Sequence, residues 1–135
     1  MCGIFGITKK TFFNKSGVSG ATILCHRGPD NEGNWENEHI KLEHSRLAII
    51  DLTEAGNQPF EYNPGKVLVF NGEIYNFQEL QKKWFDENNP WQTHSDTEVL
   101  YRGLVKKGLD CLDELNGMFA FGYYDTSSNK IFLVR

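Results

Sequence analysis

Long apolar runs are missing from this chain. A bilayer-crossing helix needs about 18–20 consecutive apolar residues, and no segment of the 135 residues approaches that. No basic stretch followed by an apolar one precedes a cleavage site, so no secretory leader is expected. Positive charge is not in excess: 14 Lys and Arg stand against 18 Asp and Glu, a net charge of −4. The basic residues are scattered, with only the short pairs Lys9-Lys10, Lys82-Lys83 and Lys106-Lys107. That argues against a nucleic-acid or anionic-membrane partner, which calls for a basic stripe. Cysteine is scarce. Cys2, Cys25 and Cys111 are odd in number and widely spaced, a poor disulfide framework that fits the reducing cytoplasm. There is no Cys-x-x-Cys, and His26, His39, His44 and His94 lack zinc-ligand spacing, so no metal site is expected. Repeats and low-complexity segments are absent. With no secretory leader expected, the sequon Asn14-Lys15-Ser16 reads as chance.

What is present fits one globular domain, with 39% hydrophobic and 24% charged residues. Residues 2–8 read as a first strand and 9–20 as a polar loop. Ala21-Thr22-Ile23-Leu24 reads as a short helical stretch, ended by the turn chemistry of Arg27-Gly28-Pro29-Asp30. Residues 33–36 and 39–44 read as strands, and the apolar part of Ser45 to Asp51 as another. Thr53 to Gly65 is irregular. Val67-Leu68-Val69-Phe70 is a continuously apolar strand, which predicts cover on both faces. It is expected to stop at Asn71-Gly72. Two helices follow, each opened by a capping box: Asn76 with Glu79, and Ser95 with Glu98. Phe77, Leu80 and Trp84 fall on one face of the first, and Val99, Leu100 and Leu104 face inward on the second. Gly108 suits the position just past its end. Met118–Tyr124 and Ile131–Val134 form an apolar hairpin. Strands at both ends with helices between them predict an α+β fold of mostly antiparallel sheet.

Several residues can carry chemistry. Cys2 follows the initiator methionine. If Met1 is removed, one residue supplies a thiol and a free α-amine, a nucleophile with its own base; the plain alternative is a first strand that happens to hold a cysteine. Asn71 and the Gly72 N–H can aim at one oxygen as an oxyanion hole, or form a simple Asn-Gly turn. Arg46 can clamp a carboxylate through two parallel bonds, or make a surface ion pair. Glu73 and Asp96 can hold an ammonium; Asp96 also suits a helix N-terminus for dipole reasons alone. Cys25 and Cys111 read as core thiols, and Phe119, Phe121, Tyr123 and Tyr124 as core aromatics.

Seven stretches in order carry a resemblance: Met1-Cys2-Gly3-Ile4-Phe5-Gly6, His26-Arg27-Gly28-Pro29-Asp30, Arg46-Leu47-Ala48-Ile49-Ile50-Asp51, Gln58-Pro59-Phe60, Asn71-Gly72-Glu73-Ile74-Tyr75-Asn76, Ser95-Asp96-Thr97-Glu98 and Leu115-Asn116-Gly117-Met118-Phe119-Ala120-Phe121. The chain resembles the glutaminase domain of class II, N-terminal nucleophile glutamine amidotransferases, and within them the asparagine synthetase branch. The resemblance implies the N-terminal nucleophile hydrolase fold, a four-layer αββα sandwich of antiparallel sheets. It implies that Cys2 is the nucleophile, with Asn71 and Gly72 as the oxyanion hole. Arg46 would hold the α-carboxylate of glutamine, Asp96 and Glu73 its α-ammonium, and Ile49 would line the substrate site. The Arg27–Asp30 loop would scaffold the pocket. Glutamine would become glutamate and ammonia through a thioester on Cys2.

The chain stops at Arg135 where the family continues. Residues 1–135 are therefore expected to be a partial, C-terminally truncated domain whose ammonia-consuming synthetase domain is absent. No cofactor is expected here; ATP and magnesium belong to that synthetase domain or subunit. An exposed sheet edge would invite homodimerisation. Two alternatives stand beside asparagine synthesis. One is a look-alike amidotransferase with another acceptor, in surface-polysaccharide or secondary metabolism. The other is a non-catalytic binding or assembly module.

Overall fold

The computed structural model describes residues 1–8, 19–86, 88 and 90–135. Residues 9–18 of the expected 9–20 loop, with the sequon, lie outside the described residues. The architecture is α+β. One antiparallel sheet holds strands β1 (Gly3–Thr8), β2 (Asn31–Glu36) and β3 (Ile40–Arg46) in the order β1-β3-β2. The other holds β4 (Lys66–Ile74), β5 (Gly117–Asp125) and β6 (Lys130–Val134) in the order β4-β5-β6. Helix α1 (Gly20–Ile23) is one turn, whereas α2 (Phe77–Trp84) and α3 (Asp96–Lys107) are longer. Among the described residues, no helix is long and apolar enough to cross a membrane.

Strand β4 explains the layering. Its side chains alternate between faces, and both are apolar. Val67 and Val69 join Ile40, Leu42 and Tyr124 in the core between the sheets. Leu68, Phe70 and Ile74 turn the other way, onto Leu80, Trp84, Val99, Leu100 and Leu104 of α2 and α3. The layers therefore run sheet, sheet, helices. On the outer face of the first sheet sits α1. It is held by Ala21 N donating to Glu43 Oε2 at 3.1 Å and by Ser45 Oγ donating to Ala21 O at 2.7 Å. Phe121, Tyr123 and Tyr124 are buried, as the hairpin predicts.

Four expectations are corrected. The apolar run at 47–50 is not a strand; both edges of β3 are already taken by β1 and β2, and Ile49 is 69% exposed. β4 does not stop at Asn71 but pairs with β5 through Ile74, so Asn71-Gly72 is not a turn. The capping boxes do not form. Asn76 instead ties the entry of β5, with Nδ2 donating to Glu114 O at 2.9 Å and Oδ1 accepting from Asn116 N at 3.0 Å. Cys25 is exposed, whereas Cys111 is fully buried and its thiol is pushed up to about 11 by burial.

Glu98 shows why the second box fails. Its carboxylate has a stronger set of donors than the Ser95 N–H. Thr93 N donates at 2.7 Å, Thr93 Oγ1 at 2.9 Å, and Gln92 N lies within 3.2 Å. The Arg102 guanidinium, one turn on, pairs with it at 2.6 Å. Arg102 also stacks over Trp91 and Tyr62. Removing one partner of a buried pair strands the other. Glu98→Ala is therefore expected to lose about 3–5 kcal/mol in denaturant unfolding. A loss under about 1 kcal/mol would contradict the burial argument.

Candidate active site

Cys2 lies just before β1 and beside the chain leaving β3. Leu47 N donates to Cys2 Sγ at 3.4 Å, and Sγ lies 3.7 Å from Leu47 O. The register of β1 on β3 pairs Gly3 with Ser45, which brings residue 2 to this position. Arg27 Nε donates to the Cys2 carbonyl at 3.0 Å. The 27–30 turn is braced on the same strand end: Asp30 N donates to Arg46 O at 2.9 Å, and Asp30 Oδ2 accepts from Ala48 N at 2.8 Å. A Cβ on Gly28 would sit 2.2 Å from Ser45 O, so only glycine lets the turn pack there. The Arg-Gly-Pro-Asp stretch is thus a scaffold for Cys2 and Arg46.

Arg46 is buried and holds the 47–57 loop closed. Nη1 donates to Thr53 O at 2.7 Å and to Asn57 Oδ1 at 2.8 Å, and Nη2 donates to Asp51 O. A guanidinium has five N–H donors, so Nε–H and the second Nη2–H remain for a planar acceptor on that side. Asp51 ties this loop to the approach to α3. Its Oδ1 accepts from Thr53 N at 2.8 Å and Thr53 Oγ1 at 2.6 Å, and its Oδ2 from His94 N at 2.9 Å. Burial raises the Asp51 carboxyl, but those bonds outweigh it and hold the group below its ordinary range.

The other wall is the free edge of β4. Strand geometry sends the N–H groups of Leu68, Phe70, Gly72 and Ile74 to one side, away from β5. Leu68 N donates to Phe60 O at 3.0 Å, Phe70 N to Gln58 Oε1 at 2.6 Å, and Ile74 N to Asp96 Oδ2 at 2.9 Å. Gly72 is the remaining member of the row, and it lines the cavity. A Cβ there would meet Met118 O at 2.3 Å, so β5 leaves no room for a side chain. Next to it, Asn71 Oδ1 is buried without a hydrogen-bond partner among the described residues. Amide oxygen and nitrogen exchange places by rotation about one bond. Asn71 therefore holds an unsatisfied hydrogen-bonding group one residue before Gly72.

Cys2, Arg46, Ile49, Gly72, Glu73 and Asp96 line a single cavity of about 170 Å³. Asn71 is not among its lining residues. Ile49 and Ile50 form part of the wall, which accounts for their exposure. Asp96 opens α3 and is 4% exposed. Burial, with the Glu73 carboxylate adding to it, pushes Asp96 up to about 6 against the bond from Ile74 N. The cavity lining thus carries a thiol, a guanidinium and two carboxylates. Sequence reasoning missed Leu47 and Asp51. Their contributions are a backbone N–H and a network of bonds to distant loops, for which no local pattern exists.

A family model for the glutamine amidotransferase domain matches residues 1–135. Asparagine synthetase B (glutamine-hydrolysing) of Escherichia coli (strain K12) is 40% identical over 141 residues, covering 100% of this chain and 25% of that protein. Asparagine synthetase (glutamine-hydrolysing) 3 of Bacillus subtilis (strain 168) is 35% identical over 142 residues, covering 100% and 23%. The amidase chry2 of Gibberella zeae is 36% identical over 116 residues, covering 84% and 17%. The chain spans a quarter or less of the length of each of these relatives.

The buried Asp96 predicts a pH dependence of stability. The folded state keeps the proton up to about pH 6, and the unfolded chain releases it near its ordinary value of 3.8. Between those values the folded state binds more protons, so this group makes stability fall as pH rises from about 4 to about 6. Urea midpoints at stepped pH should show that slope, and Asp96→Asn should flatten it. Equal slopes for the two proteins would contradict the assignment.

Proposed function

The chain belongs to the glutamine amidotransferase domain family, and from that premise we propose that it hydrolyses glutamine to glutamate and ammonia at Cys2. The observation that carries the proposal is the meeting of Cys2, Arg46, Gly72, Glu73 and Asp96 around one cavity, although they span nearly a hundred residues of sequence. Met1 is exposed and also borders that cavity, so its removal places the Cys2 α-amine there. The α-carboxylate of glutamine lies on the two remaining Arg46 donors. The α-ammonium lies on Asp96 and Glu73, and Ile49 packs along the side chain. Ionised Asp96 is the binding form.

The chemistry follows from those positions. The α-amine takes the thiol proton, and the thiolate adds to the side-chain amide carbon of glutamine. A carbon–sulfur bond forms, and the carbonyl π pair moves to oxygen, held by the Asn71 amide and the Gly72 N–H. Collapse breaks the carbon–nitrogen bond, and ammonia leaves with the proton that the amine had taken. Water adds to the thioester, sulfur leaves, and glutamate is released. The four-layer sandwich of N-terminal nucleophile hydrolases belongs to the same proposal; the order α1, sheet, sheet, helices supports it.

The ammonia acceptor lies outside these residues. The glutamine-hydrolysing asparagine synthetases among the relatives support asparagine synthesis by a companion synthetase part. ATP and magnesium are assigned there. Among the described residues no group of three His, Cys, Asp or Glu side chains could hold a metal ion, and no step above runs through one. Self-association is a further proposal. β6 has one neighbour, β5, and Leu133 on it is 77% exposed.

Ammonia release by protein lacking Met1 tests the central reading. Cys2→Ala should abolish it, and substantial residual turnover would remove Cys2 from the mechanism. Asn71→Ala should lower kcat by about 10²–10³; a loss below about tenfold would deny the oxyanion role. Glutamine binding should weaken below about pH 6, as Asp96 takes up its proton, and Asp96→Asn should bind weakly at every pH. Binding that strengthens on acidification would contradict the ammonium assignment. Size-exclusion chromatography at stepped concentrations should resolve a dimer; a monomer throughout would end the self-association proposal.

A further inference from the structure

Beside the apolar cluster of Ile40, Leu42, Val67 and Val69 between the two sheets lies a buried histidine, His44. It lies on β3 between Leu42 and Arg46, is 0% exposed, and faces β4. Its Nε2 lies 3.1 Å from Phe70 O. A carbonyl only accepts, so Nε2 carries the hydrogen and donates. Nδ1 is then the unprotonated nitrogen, and it is buried without a partner. Burial, with the Arg46 charge adding to it, lowers His44 to about 4 against the bond to Phe70 O, so the ring is neutral at neutral pH. A buried ring that leaves one nitrogen unsatisfied costs stability. The same position filled by an aliphatic residue would carry no such cost.

What the ring does is set by its two neighbourhoods. On its own strand, His44 pairs with Ile4 of β1 and lies three residues before Leu47, whose N–H holds Cys2 Sγ. Across the gap it grips the carbonyl of the peptide that joins Phe70 to Asn71. Apolar contacts between Val67, Val69, Ile40 and Leu42 are non-directional and tolerate sliding. A hydrogen bond to a carbonyl has a preferred distance and direction. At the far end of the sandwich, Asn37 Nδ2 donates to Tyr124 Oη at 3.2 Å and joins the sheets there. Nearer the cavity, which Phe70 lines, His44 bonds the backbone of β4 from the other sheet.

We infer that His44 is a positioning residue for the glutamine hydrolysis proposed above: its N–H to the Phe70 carbonyl sets where Asn71 and the Gly72 N–H stand relative to Cys2. The inference rests on that functional reading. His44 touches neither substrate nor Cys2 and acts through β4.

The test compares His44→Met, which fills the space without a donor, with His44→Gln, whose Nε2 falls near the ring Nε2. Steady-state hydrolysis is measured with protein lacking Met1, along with alkylation of residue 2 by iodoacetamide, followed by peptide mass. His44→Met should lose between about tenfold and a hundredfold in kcat, with KM and alkylation within twofold of the parent. His44→Gln should recover most of the loss. A displaced oxyanion hole acts on the transition state and not on substrate affinity or thiol access, so a merely structural role would not give this split. Three results would overturn the inference: an unchanged kcat in His44→Met, an equal loss in both variants, or a loss carried by KM. If His44→Met does not fold, His44→Asn, whose amide falls short of the Phe70 carbonyl, replaces it with the same expected contrast to His44→Gln. Cys2→Ala run alongside separates the two readings. Activity surviving there sinks the function, whereas a dead Cys2→Ala with unaffected His44 variants sinks only the positioning role.

Discussion

The two sides of the cavity stand on different sheets, and the site depends on how those sheets are registered. Cys2 precedes β1 and Arg46 ends β3, and Asn71, Gly72 and Glu73 belong to β4. Among the described residues no strand ladder joins the sheets. Between them lie an apolar core and a few directional bonds. The apolar core supplies the attraction, at roughly 25 cal/mol per Å² of surface removed from water, but it does not specify an offset. The offset comes from His44 on the Phe70 carbonyl and from Asn37 on Tyr124. A displacement of β4 by one residue would turn Gly72 and its outward N–H away from Cys2.

A second constraint ties Arg46 to the approach to α3. Arg46 closes the 47–57 loop by bonding its carbonyls, and Asp51 in that loop accepts from His94 just before α3. Arg46 is therefore linked by hydrogen bonds through Asp51 to the segment that leads into Asp96. Asp96 is buried at the start of α3, where the dipole favours its charge but burial opposes it. Burial wins, and the group titrates near 6. A carboxylate left undersolvated in this way gains more than an exposed one when an ammonium arrives. A group that weakens the empty fold is thus well suited to a positively charged ligand.

Much of this was legible in the sequence, for separable reasons. The continuous apolar run 67–70 foretold a strand covered on both faces, since alternation admits no other reading. Cys2, Arg46, Gly72, Glu73 and Asp96 could be named from their chemistry, but their meeting in space could not be derived from spacing. The run 47–50 misled because an apolar stretch looks the same whether it fills a core or walls a cavity. The Ser95-x-x-Glu98 box misled because Glu98 had better partners, and Arg102 at i+4 was the one visible sign of them. His44, Leu47 and Asp51 were silent because each joins a side chain to a backbone group far away in the chain.

The claim that matters most is covalent: Cys2 carries the γ-glutamyl group during turnover. Protein lacking Met1, mixed with glutamine and quenched in acid, can be digested and weighed peptide by peptide. The account predicts one glutamyl group on the peptide bearing residue 2, present during turnover and gone once glutamine is exhausted. Glutamate formed with no adduct on that peptide, or with the adduct on Cys25 instead, would contradict it.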